Sequence, residues 1–119
     1  MQRKQVTTTK NCLAYRINNA TDIMGKESIL FREKFKNIPG VTTSTEEWGE
    51  WFDGTVFINK REFVCLNRLS LDCWMVYINN PYEDGKQWVF GEYKTFAGAL
   101  RKTAAIMAKR EYPKPVLVW

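Results

Sequence analysis

Seven residues in the second half of the chain have side chains suited to recognising a nucleic acid. Asn67, Asn79 and Gln87 carry amides that pair side by side with the edge of adenine in the major groove. Arg68, Lys86 and Lys94 supply cations for phosphate oxygens. Tyr77 sits two residues before Asn79, so on a strand the two side chains share a face. No catalytic set stands beside them. The chain has no His, which removes the commonest general base, the commonest zinc ligand and every Ser-His or Cys-His pair. The segment from Gly91 to Thr95 lacks the Gly-Lys-Ser/Thr pattern of a phosphate loop. The reading is therefore of a non-enzymatic protein with no cofactor and no metal.

These residues need a scaffold, and the stretch 63–108 supplies one. FVCLNR, CWMVYINN and QWVFGEY are short apolar-rich runs separated by turn formers, and KTFAGALRKTAAIMAKR follows as an amphipathic helix. Strands are expected near 55–59, 62–68, 73–79 and 87–93. By the period of two, Trp74, Val76 and Ile78 share one face and Met75, Tyr77 and Asn79 the other. Trp88 and Phe90 are expected on one face, with Gln87, Val89 and Gly91 opposite. The last helix opens at Thr95, a good N-cap, and turns Phe96, Ala99, Leu100, Thr103, Ile106 and Met107 inward.

Upstream, residues 1–10 read as a polar arm and 12–17 as a short strand. Residues 26–38 read as a helix with Leu30, Phe31, Phe35 and Ile38 on its apolar stripe, stopped by Pro39-Gly40. Ser44-Thr45-Glu46-Glu47 matches a capping box. It predicts a short helix with Trp48, Trp51 and Phe52 on one buried face, the alternative being that Trp48 and Trp51 stack on bases. The tail from Val116 to Trp119 is apolar and is expected to form an added strand, a lid or a partner contact.

The fold class expected is α+β: a three- to four-stranded antiparallel sheet packed on a C-terminal helix, with one or two N-terminal helices. The 119 residues form one domain, divided into a helical part (1–54), the sheet and helix (55–112) and the tail (113–119). A chain of this size buries roughly two thirds of its unfolded surface. The longest apolar runs are far too short for a membrane span. MQRKQVTTTK is not followed by an apolar region, so no secretory signal is expected. Three Cys with no CxxC spacing read as reduced thiols, and the expected location is cytoplasmic.

Charge is uneven. Residues 1–40 carry eight Lys/Arg against three acids, 41–59 carry four acids and no base, and 60–119 carry ten bases against six acids. Two basic blocks flanking an acidic one fit a nucleic-acid surface or an ordinary soluble charge mix.

Within 63–108, the residues Trp74, Ile78, Pro81, Gly85, Gly91, Tyr93, Thr95 and Ala99 follow a spacing that resembles the ethylene-response-factor (APETALA-like) DNA-binding domain. The resemblance implies three antiparallel strands on one helix, with the sheet laid into the major groove. That family reads DNA mostly with Arg and Trp. The matching positions here hold Val64, Asn67, Leu69, Leu71, Tyr77, Asn79, Gln87 and Val89, so the reading residues are not kept. The expected function is nucleic-acid binding, with double-stranded DNA as partner, through Asn67, Arg68, Tyr77, Asn79, Lys86, Gln87 and Lys94. The alternative is a protein-interaction module, such as a phage-type inhibitor of a host defence or nuclease complex (anti-CRISPR-like). A monomer or homodimer fits either.

Overall fold

The computed structural model describes residues 25–118 of the chain. The expected arm over 1–10, the strand over 12–17 and Cys12 lie outside the described residues.

The first element is helix α1, Lys26–Phe35. Ser28, Phe31 and Phe35, at helical spacing, are its buried side chains. It is shorter than the predicted 26–38: the chain turns at Lys36 to Pro39, and Ile38 still packs on the core. Strands β1, Val41–Trp48, and β2, Trp51–Ile58, follow as a hairpin. This corrects the short helix expected after Ser44. Five β-branched or hydroxyl residues in a row, Val41 to Thr45, favour a pleated chain over a helix. Gly49, at φ 56°, makes the two-residue turn. Glu47 does not cap a helix; it accepts a 2.6 Å hydrogen bond from the Ser28 hydroxyl and ties β1 to α1.

Asn59 and Lys60, both at positive φ, form the tight turn into β3, Arg61–Ser70. Then come β4, Cys73–Asn79, and β5, Gln87–Tyr93. Helix α2, Phe96–Lys109, starts as expected: the Thr95 hydroxyl accepts from the Gly98 N–H at 3.1 Å. It ends at Arg110 in the left-handed conformation. Leu117–Val118 form the two-residue strand β6 on β5, so the tail is an added strand.

Among the described residues the sheet therefore has six strands, not three or four, in the order β1-β2-β3-β4-β5-β6, every pairing antiparallel. Both described helices lie on the same face, α1 over β1 and β2, and α2 over β3 to β5. On that helix-side face Phe31, Phe35, Phe52, Val56, Val64, Leu66, Trp74, Val76, Phe90, Ala99, Ile106 and Met107 form the main core. Phe52 is its hub. Its ring meets those of Phe31, Trp74 and Phe96 at centroid distances of 6.0, 5.8 and 5.7 Å.

The face assignment for β4 holds, with Trp74, Val76 and Ile78 toward the helices. On β5 a bulge opposite Val76 and Tyr77 shifts the register, so Gly91 pairs with Val76 and joins the helix side. The other face, here termed distal, carries a smaller buried cluster of Cys65, Met75, Tyr77 and Val89.

Candidate functional site: the distal sheet face

The register defines which side chains look away from the helices. Cross-strand pairs on this face include Ser44 with Thr55, Glu46 with Asp53, Trp48 with Trp51, Asn67 with Met75, Cys65 with Tyr77, and Asn79 with Gln87. Among the candidate residues, Asn67, Tyr77, Asn79 and Gln87 do share this face, as their spacing requires. Arg68 does not.

The structure corrects the site at several of these positions. Tyr77 is only 8% exposed, held between Cys65 and Val89, and cannot stack on a base. Burial pushes its phenol well above the usual tyrosine range. The Asn67 Oδ1 atom is buried without a hydrogen-bond partner. Arg68 is 9% exposed and lies on the helix side, its guanidinium 4.9 Å from the centre of the Trp74 ring. There it donates to the carbonyls of Ser70 and Leu71, at 3.2 and 2.7 Å, and shapes the β3–β4 turn. Arg68 is an architectural residue, not a free phosphate ligand. Asn79, Lys86 and Lys94 are exposed and Gln87 is half-buried. They span the two ends of β5, with Lys86 just before it and Lys94 just after, so they do not converge on one point. Asn79 also borders a hollow of about 220 Å³ whose other walls include Glu62, Phe63 and Tyr112, so an acid lies beside a residue expected to contact a base edge.

Charge on this face runs against a phosphate backbone. Its strand residues include Glu46, Asp53, Glu62 and Glu92 but no Lys or Arg. Desolvation first, then Glu46 and Glu62, raise the Asp53 carboxyl above its ordinary range. Its Oδ1 is buried without a hydrogen-bond partner. Both described cysteines are free thiols. Burial pushes the Cys65 thiol up to about 12, and the Thr55 hydroxyl lies 3.7 Å from its sulfur. Among the described residues no group of three His, Cys, Asp or Glu is placed to hold a metal ion. No described helix is long and apolar enough to cross a membrane.

One end of the face presents something that the sequence reading placed in the core. Trp48 is 71% exposed, and its ring stacks on that of Trp51 at 5.0 Å with 20° between planes. Phe52 pairs with Arg68, so Trp51 and Leu69 are the next residues along their strands. Leu69 and Leu71 are 47% and 60% exposed. Trp48, Trp51, Leu69 and Leu71 thus line one end of the sheet, with Glu46, Asp53 and the turn residues Glu50 and Asp72 around them. The alternation of β1 and β2 was the signal that could have found this end. The Ser-x-x-Glu pattern hid it.

The structure defines an α+β protein whose antiparallel meander carries its described helices on one face. No family model matches the chain, and no curated protein or solved structure matches it either.

Proposed function

We propose that this chain is a non-enzymatic protein-interaction module that docks a protein partner on the Trp48–Trp51 end of its distal face. One observation carries the reading: three large apolar residues, Trp48, Leu69 and Leu71, stand exposed at one end of the sheet beside the half-buried Trp51, with carboxylates around them. Exposed apolar patches with polar rims mark interaction surfaces, and Trp anchors dominate such interfaces. The second reading is sequence-independent nucleic-acid binding. It draws on α2, which bears Arg101, Lys102 and Lys109 and no acid, and on the exposed Lys86 and Lys94. The buried position of Tyr77 weighs against the base-reading form of that idea, and the buried position of Arg68 takes away one of the expected phosphate contacts.

Two measurements separate these readings. Tagged wild-type chain and the Trp48→Ala/Trp51→Ala variant are compared for stoichiometric partner capture from extracts of the source cells. The expected result is a partner retained by the first and lost by the second. Fluorescence anisotropy of a labelled random-sequence duplex is then followed at low and physiological salt. Tight binding at low salt that collapses with added salt would replace the protein-docking reading with the electrostatic one.

A further inference from the structure

We propose that the occupant of this end is an arginine-bearing protein segment whose guanidinium stacks on the Trp48 indole and pairs with the Glu46 carboxylate. The inference rests on the protein-docking reading and names the partner's chemistry.

Trp48 and Trp51 are already stacked, so the pair forms an aromatic platform. With Trp48 71% exposed, much of its indole is open to a partner. A flat, delocalised cation is the group that an indole face attracts best. The molecule uses this pairing internally, where Arg68 lies over Trp74.

Glu46 and Trp48 are two residues apart on β1 and project from the same face, about 7 Å apart along the strand. A guanidinium over the indole therefore has an exposed carboxylate within reach of its N–H fork, and Glu50 stands in the adjoining turn. Glu46 is paired across the strands with Asp53, and like charges directly opposite each other repel. An arriving cation relieves that repulsion. No Lys or Arg lies on the distal face of any described strand to compete for these carboxylates. Charge complementarity thus favours a cationic partner, and the platform favours Arg over Lys, whose compact ammonium neither stacks nor binds bidentately.

The test uses the full chain and two labelled probes, a hepta-arginine and a hepta-lysine peptide, titrated by fluorescence anisotropy at physiological salt. Hepta-arginine is expected to bind about tenfold more tightly than hepta-lysine. Trp48→Ala should remove that preference, and Glu46→Gln should weaken both peptides. Glu83→Gln, an exposed acid in the β4–β5 loop, should change neither. A cooperative melting transition at or above the wild-type temperature confirms that each variant is folded. Equal affinity for the two peptides, or a preference that survives Trp48→Ala, overturns the inference. If the preference is absent while the double Trp variant still loses its captured partner, the docking reading stands and the arginine assignment alone falls. If neither effect is seen, both fall.

Discussion

Asp53 and Cys65 lie two strand positions from each other's level on adjacent strands, and burial acts on both. Asp53 is pushed up by desolvation and by Glu46 and Glu62. The folded chain therefore holds that proton at pH values where the unfolded chain has released it. The stabilisation is complete below the ordinary carboxylate pKa and is lost as the pH rises through the raised value. Asp53→Asn should flatten the dependence of melting temperature on pH across that window and raise the melting temperature at pH 7. Thermal denaturation from pH 4 to 8 reads both, and a variant with the wild-type pH profile would contradict the assignment. Cys65, with its thiol pushed up to about 12, is almost wholly protonated at pH 8 and is buried as well. Iodoacetamide at pH 8 should leave it unmodified in the native protein and alkylate it once guanidinium unfolds the chain. Peptide mass spectrometry distinguishes it from Cys73, which is only half-buried.

Elements here stand or fall by their ends and crossings. The N-cap of α2 depends on one hydroxyl, that of Thr95, bonded to the Gly98 N–H. Thr95→Ala should cost about 1 kcal/mol, read as a shifted denaturant midpoint with unchanged slope. Where β5 runs into α2, Gly91 passes under Tyr93 so closely that an added Cβ would lie 2.5 Å from the Tyr93 hydroxyl and 2.7 Å from its ring. Gly91→Ala must displace that ring, which also rests near Gly98. A loss of about 1–3 kcal/mol is expected in the same denaturation assay. The turn between β2 and β3 places Asn59 and Lys60 at φ 51° and 69°. That hairpin turn matches the right-handed twist of its strands and sets the pairing of Ile58 with Arg61 and Phe57 with Glu62; a bulge next to Val56 then shifts the register in which Val56 and Phe52 enter the core.

At the scale of the whole molecule the two faces differ in kind. The helix side is packed around an aromatic hub, and α2 carries cations. The distal face carries acids on its strands and exposes aromatics at one end. Among the described residues the meander has a long edge at β1, whereas β5 is paired along part of its length by β6, aided by the bond from the Val116 N–H to the Val89 carbonyl at 2.8 Å. Removing residues 116–119 should uncover that edge. A lower melting temperature and a higher mass by light scattering are expected, because an unpaired strand edge templates association. A monomer of unchanged stability would show that the tail is dispensable.

What the residues determined by themselves was local. The strands at 73–79 and 87–93, the helix after Thr95 and the inward set of that helix were legible because each is dictated by near neighbours: a period of two, a capping hydroxyl, apolar spacing of three and four. The β1–β2 hairpin was misread because Ser44 and Glu47 match a local cap motif. Which structure wins there depends on β3, against which β2 pairs, and on Ser28, which takes Glu47 from 19 residues away. Burial was likewise beyond the sequence. Tyr77 and Arg68 look like solvent-facing ligands by type, but one is enclosed by neighbouring strands and the other is drawn onto Trp74 across the sheet. Trp48 looked like core and is surface, because a two-residue turn at Gly49 carries it to the end of the sheet. Only the tertiary structure brings these distant residues together, since each contact is made between elements that no short window of sequence contains.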